Sequence, residues 1–205
     1  MSLDAERWQR LWQARGAEPP VGRFAALQAL YAEPGRHYHG AAHIRACLAA
    51  LDELHAQAVD VGQVELAIWY HDAIYDTARQ DNETRSAELA ELDLREVGLE
   101  EDAKAVAALI LATDHRHAPA TDDQRLLVDI DLSILGAPWP VYQAYAEAVR
   151  REYARFPDAL YRPGRVAVLR QFLQRPAIFT TPAGQARWET TARSNLQAEI
   201  QQLEA

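Results

Sequence analysis

Apolar residues recur at helical spacing along almost the whole chain, and this pattern constrains the fold more than any other feature. Segments such as 4–15, 63–77 and 139–155 place an apolar side chain at every third or fourth position. Strict alternation of apolar and polar residues, which is typical of strands, is almost absent. The pattern therefore predicts an all-α fold, a compact helical bundle with additional helices towards the C-terminus.

Proline, glycine and capping residues divide this periodic pattern into separate helices. Asp81 is predicted to cap one helix, and either Asp122 or Asp123 is predicted to cap a later one. A short linker is predicted between Pro157, Pro163 and Gly164. The predicted helices cover about 4–15, 21–32, 40–57, 63–77, 81–98, 100–112, 122–136, 139–155, 164–174 and 183–203.

Length and charge limit the class of protein. A chain of 205 residues suits one domain, which we predict over 1–205 with its core at about 21–136 and a helical extension at about 138–205. The net charge of −9 argues against stable binding to nucleic acid, although a nucleotide needs only a local basic patch.

The sequence also suggests where the protein works. A lone cysteine, Cys47, excludes an internal disulfide and a zinc site built from paired thiolates. No apolar run reaches 18 residues, and the first 15 residues are charged and contain no apolar signal core. We therefore expect a cytoplasmic protein that does not bind membranes.

All seven histidines lie within residues 37–117, so we expect a catalytic or metal-binding site in this part of the chain. His71 and Asp72 stand within the apolar segment VELAIWYHDAIYD, which is predicted to be a buried helix. An aspartate there is costly unless it is paired or binds a metal. The alternative is that His71 is an ordinary core histidine and that Asp72 is its ion-pair partner.

A second histidine lies on a row of residues that turns apolar. His39, His43, Cys47 and Leu51 follow one another at i, i+4 spacing, so this row is predicted to point inward. His43 is then a candidate metal ligand. The alternative places His39 and His43 on the surface at the start of a helix, where they help to cap it.

The segment QRLLVDIDLSILG offers two acids, and helix geometry separates them. Asp131 shares a row with Leu127 and Leu135 and is predicted to be buried, whereas Asp129 shares a row with Arg125 and is predicted to be solvated and paired with it. A buried carboxylate needs a cation beside it. For Asp131 that cation is a metal or, in the alternative, an arginine.

Together these segments supply two imidazoles and two carboxylates, on His43, His71, Asp72 and Asp131. This set suits Mn, Fe, Co, Ni or Zn better than Ca. Mg is a further candidate, and one or two ions are compatible with the residues. Four protein ligands leave coordination positions open for water and substrate, which is typical of a catalytic site.

The order and context of these residues resemble the HD-domain superfamily of metal-dependent phosphohydrolases. The strings RHYHGAAHI, AIWYHDAIYD, DNETRSA and IDLSILG together are similar to one bacterial branch of predicted HD phosphohydrolases. The similarity spans about residues 30–200 and includes REY at 151–153, GR at 164–165 and ARSNL at 192–196. It implies a compact HD-domain helical bundle.

The resemblance also implies roles for single residues. Its metal ligands would be His43, His71, Asp72 and Asp131, with Asp72 able to bridge two ions. Glu83 would orient water or act as a general acid or base, and Asn82 would face the pocket. The alternative for Glu83 is an ordinary acid in the first turn of a helix.

Four further residues have weaker arguments. Either His115 or His117 would hold a second metal or protonate a leaving group, and in the alternative both lie in a polar surface loop. Arg36 and His39 would lie at the mouth of the pocket, where Arg36 is a candidate phosphate contact.

The predicted function is metal-dependent hydrolysis of a phosphomonoester or nucleotide by a metal-activated water, on a small phosphorylated substrate and with room for a homodimer. Three alternatives stay open. They are a nucleotide-sensing module without turnover, a di-iron oxygenase on the same fold, and a purely structural role for these residues.

Overall fold

A computed structural model describes residues 3–205, and over these residues the chain is all-α, as predicted. No described segment forms a strand, and no described helix has the length and apolar character needed to cross a bilayer. The helices are α1 (Ala5–Ala14), α2 (Arg23–Leu30), α3 (Ala41–Leu54), α4 (Val61–Tyr70), α5 (Asn82–Glu96), α6 (Glu100–Ala112), α7 (Asp122–Asp131), α8 (Trp139–Glu152), α9 (Asp158–Gln174), α10 (Pro182–Gly184) and α11 (Thr190–Glu204).

The chain forms two compact units, divided within α7 between Val128 and Asp129. The first contains α1 to α6 and most of α7, and the second contains the rest of the chain. Short 3-10 turns follow α3 and α7, and a π-helical turn over Gln185–Glu189 joins α10 to α11. The single domain over 1–205 stays a prediction.

Helix α4 lies at the centre of the first unit because its C-terminal half, from Leu66 to Tyr70, is apolar on every side. These residues are completely buried. Trp8 and Trp12 of α1 are also buried, and the Trp8 ring lies 5.3 Å from that of Trp69. Helices α3, α5 and α6 pack against α4 as well. The core therefore fixes the end of α4, which leads directly into His71.

The prediction of a helix over 63–77 is wrong at its C-terminal end, because α4 stops at Tyr70. The N–H of Ala73 donates to the Tyr70 carbonyl at 2.8 Å and closes a turn. The N–H of Ile74 then donates to the hydroxyl of Ser86 on α5, at 3.0 Å. These two bonds replace the backbone hydrogen bonds that would continue the helix, so His71 and Asp72 lie in a turn.

The helix caps also differ from the sequence prediction. Thr121, and neither Asp122 nor Asp123, caps α7: its hydroxyl accepts from the Gln124 N–H at 3.2 Å, while the Gln124 amide oxygen accepts from the Thr121 N–H. This is a capping box. Asp81 precedes α5, but its carboxylate binds Arg79 and does not cap the helix.

The linker predicted around Pro163 and Gly164 is wrong, because α9 begins at Asp158 and continues through both residues. Its first turn is held by bonds to the Pro157 carbonyl from the N–H groups of Leu160 and Tyr161. Arg150 of α8 binds Asp158, which fixes the start of the helix. The helix thus tolerates the proline, whose missing N–H leaves one bond unmade.

The second unit reverses the predicted burial of the two acids in α7. Asp129 is completely buried, and it accepts hydrogen bonds from the backbone N–H and hydroxyl groups of both Thr180 and Thr181. Asp131 is only half-buried. The predicted partner of Asp129, Arg125, binds Asp122 instead. The burial predicted from the helical row is wrong because the turn over 180–181 covers Asp129. The local sequence pattern does not show this contact.

Candidate metal centre

Three of the four predicted metal ligands meet at one point of the first unit. His43 lies in the first turn of α3, His71 directly follows the last residue of α4, and Asp72 comes next in the turn. Both imidazoles are buried, as the inward row of α3 predicts for His43 and the apolar segment VELAIWYHDAIYD predicts for His71. Because α4 stops at Tyr70, the two neighbouring side chains of His71 and Asp72 reach the same place.

The ligand atoms form a triangle of the size that a metal ion requires. The Nε2 atoms of His43 and His71 are 3.1 Å apart, and Asp72 Oδ2 lies 3.4 Å from the first and 3.3 Å from the second. Ligands held about 2.0–2.2 Å from one ion are separated by roughly 3.0–3.5 Å at tetrahedral or octahedral angles. The three residues therefore fit a transition metal ion.

The hydrogen bonds around the triangle aim free electron pairs into it. His71 Nδ1 lies 2.9 Å from the Ile68 carbonyl, which can only accept, so Nδ1 carries a proton and the neutral form of the ring has its lone pair on Nε2. Asp72 Oδ2 is buried, and no residue in 3–205 donates a hydrogen bond to it. A buried carboxylate oxygen in this state is expensive unless a cation binds it.

The electrostatic field at this point favours the ionised carboxylate. Burial by itself would raise the pKa of Asp72, but the imidazoles of His71, His39 and His43 outweigh it and lower the pKa below its usual range. Asp72 is thus a carboxylate in a cluster that stabilises negative charge, as a metal ligand must be.

The fourth predicted ligand, Asp131, ends α7 and belongs to the second unit. Its place in the ligand set stays a prediction.

Glu83 lies close enough to this cluster to sense its charges. It is the second residue of α5 and is half-buried. Burial raises the pKa of Glu83, the charge of Asp72 raises it further, and His115 opposes the change. A carboxyl group with a raised pKa beside a candidate metal site is suited to proton transfer.

The structure distinguishes the two histidines that the sequence left equivalent. His115 is half-buried, acts electrostatically on Glu83, and has a left-handed backbone with φ of 58°. His117, two residues on, is exposed. Strained backbone of this kind often occurs at functional sites, so His115 is the stronger candidate of the two.

Two of the three predicted substrate contacts have defined local roles. The side chain of Asn82 binds the backbone of Asp76 through both its oxygen and its nitrogen, at 3.1 Å each, and so ties down the loop after Asp72. The His39 ring stacks on Tyr75 at a centroid distance of 4.3 Å. His39 is half-buried between Tyr75 and His43.

Arg36 has a different environment from the pocket mouth that the sequence predicts. Only 3% of its side chain is exposed, and it donates to the carbonyls of His39, Asp72 and Ala73. A phosphate contact would compete with these bonds.

Two buried residues that the sequence did not mark hold the backbone around the candidate centre. Tyr31 is buried, and its hydroxyl donates to the Trp69 carbonyl at 2.9 Å in the last turn of α4. Ser86 is completely buried and holds the backbone of Ile74. Their only signal in the sequence is a polar group at a core position, which becomes meaningful once the partner carbonyl or N–H is known.

Comparison of the chain with protein-family models, with curated proteins and with solved structures finds no match in any of the three. Only the geometry of the site and the motifs in the sequence therefore point to a function.

Proposed function

We propose that this chain is a metal-dependent phosphohydrolase of the HD type, acting on a phosphomonoester or nucleotide. The observation that carries the proposal is the triangle of His43, His71 and Asp72, with a buried carboxylate oxygen that receives no hydrogen bond within residues 3–205. The order of the four motifs supports it, and on the strength of sequence alone Asp131 is kept as the fourth ligand.

The residues of the site would have different roles in hydrolysis. A bound divalent transition metal would supply an activated water and neutralise charge on the phosphoryl group. Glu83 accepts the proton of the attacking water, because its raised pKa makes it a stronger base than an ordinary carboxylate. We assign His115 as the donor of a proton to the leaving group, since it lies close enough to Glu83 to lower the pKa of that carboxyl group.

The test is product release from a panel of nucleoside mono-, di- and triphosphates and simple phosphomonoesters, with Mn, Co, Ni or Mg added. We expect turnover that requires metal and that disappears in Asp72→Asn and His43→Ala. The matched control is Asp93→Asn, since Asp93 is also completely buried but binds Arg23 and Tyr70. This control should lose stability and keep its metal.

Other results would contradict the proposal and point to its alternatives. Saturable nucleotide binding with zero turnover under every metal would favour a sensor. Bound iron with oxygen-dependent product formation would favour an oxygenase. Full metal content in Asp72→Asn would show that the triangle is not the metal centre.

A further inference from the structure

The buried guanidinium of Arg36 connects the two segments that carry the ligands of the centre. On one side it donates to the His39 carbonyl at 3.2 Å, four residues before His43. On the other side it donates to the carbonyls of Asp72 and of Ala73, the latter at 2.8 Å. A single side chain thus fixes the distance between the chain before α3 and the turn after α4.

Few side chains other than arginine could make this set of bonds. The acceptors are three backbone carbonyls and the carboxylate of Glu33, which Nε reaches at 3.0 Å. Arginine offers five N–H donors in a rigid planar fork, whereas lysine offers one point of charge. The rings of Tyr31 and Tyr75 lie 5.4 and 5.7 Å from the guanidinium carbon and hold its plane in place.

The position of this positive charge also suits the backbone that it binds. The last turn of an α-helix leaves carbonyls without partners and carries partial negative charge. Helix α4 ends at Tyr70, and the carbonyls of Asp72 and Ala73 follow in the turn beyond it. Arg36 therefore satisfies carbonyls of the turn that directly follows α4 and carries His71 and Asp72.

We infer that Arg36 is a positioning residue of the metal centre, which holds Asp72 and His43 at the spacing a metal needs and does not contact the phosphate. This inference rests on the proposed function. It replaces the phosphate contact that the sequence predicts, because a side chain with 3% exposure and four acceptors has its donors committed within the protein.

The test compares Arg36→Lys with Arg23→Lys. Arg23 is the matched control, because it binds the buried Asp93 in the same unit and touches none of these carbonyls. Two quantities are measured: the affinity for Mn²⁺ or Co²⁺ alone by equilibrium dialysis, and amide hydrogen exchange over residues 71–76 in chelator-treated protein. The first depends on the metal site, and the second does not.

We expect Arg36→Lys to weaken metal binding about 10- to 100-fold, as loss of a supporting hydrogen bond does. Exchange over 71–76 should become at least about tenfold faster than in Arg23→Lys, because the turn loses its anchors. The charge is kept in both variants, so a simple electrostatic role would leave both quantities unchanged.

Each other outcome overturns the inference or separates it from the proposed function. Unchanged exchange over 71–76 would refute positioning outright. Faster exchange with unchanged metal affinity would show that the turn is held but the centre is not. A raised KM with both quantities unchanged would restore the phosphate contact. If the wild-type chain binds no metal, the proposed function fails, and the exchange result alone decides whether Arg36 holds the turn.

Discussion

At the scale of single residues, two completely buried aspartates and the half-buried Asp72 show how hydrogen-bond partners distinguish a structural carboxylate from a candidate ligand. Asp93 is satisfied by Arg23 and Tyr70, and Asp129 by two threonines. Asp72 instead directs one oxygen at two imidazole nitrogens, and that oxygen receives no hydrogen bond from any residue that the structure describes. Asp93 and Asp129 are completely buried and Asp72 is only partly buried, so burial does not mark Asp72, and its bonding is what makes it a candidate ligand.

Glu83 gives a prediction about pH at the same scale. Because burial and Asp72 raise its pKa, Glu83 takes up a proton at higher pH than a free glutamate, whose pKa is about 4.3. A base must be unprotonated, so kcat should fall as pH drops through this raised value. Glu83→Gln should lower kcat by about 10²- to 10⁴-fold and remove this acidic limb from the pH profile.

The control for this prediction is Glu88→Gln, an exposed acid on the same helix, which should keep both the rate and the limb. An acidic limb that survives in Glu83→Gln would assign it to another group. A rate that rises as pH falls would make Glu83 the general acid.

At the scale of elements, the short helix α10 depends on a close approach of backbone to a carboxylate. Gly184 ends α10, and its hydrogen atoms face Asp129: a Cβ built there would lie 3.0 Å from the Asp129 Cγ and closer still to Oδ2. Thr181 binds Asp129 and also caps this turn by accepting from the Gly184 N–H at 3.0 Å. The absence of a side chain at Gly184 therefore lets one carboxylate organise the turn.

Two glycine substitutions in the second unit should have opposite effects on stability. Gly184→Ala should lower the free energy of unfolding by about 1–3 kcal/mol, because the new methyl group displaces Asp129 from its threonines. Gly164→Ala, in α9, should raise it by up to about 1 kcal/mol, since no atom lies within 4 Å of its Cβ and alanine favours helix.

Denaturant unfolding of both variants measures this difference. Equal changes in the two would mean that helix propensity, and not the contact with Asp129, governs Gly184.

At the scale of the whole molecule, charged side chains fasten helices of the first unit that are distant in sequence. Arg15 at the end of α1 binds Asp60, which precedes α4, at 2.8 Å, and also binds Asp102 of α6. Gln63 donates to the same Asp102 at 2.9 Å. These bonds connect α1, α4 and α6 at one point.

Acid should weaken this connection in a predictable direction. Burial opposes ionisation of Asp60, but hydrogen bonds from the Gln63 N–H and from Arg15 outweigh it and lower its pKa. Its contribution is therefore complete above the unfolded pKa of about 3.9 and is lost as pH falls through the lower folded value. Asp60→Asn should cost up to about 1 kcal/mol at pH 7, because asparagine keeps the cap and loses the ion pair.

The measurement is the difference in unfolding free energy between wild type and Asp60→Asn at pH 7 and at acid pH. The difference should shrink as the pH falls below about 4. A difference that stays constant over this range would show that the charge of Asp60 is not what Arg15 stabilises.

The sequence by itself determined the all-α fold, the positions of most helices and the inward row of His43, because helical periodicity is a local property of the chain. Tertiary structure alone decided that α4 stops at Tyr70, that Asp129 is buried more deeply than Asp131, and that Arg36 faces three carbonyls. The first depends on a bond to Ser86 of α5, the second on the turn over 180–181, and the third on the carbonyls of Asp72 and Ala73, which are distant from Arg36 in the sequence. Spacing along one helix carries no information about such partners, because backbone groups of any residue can supply them.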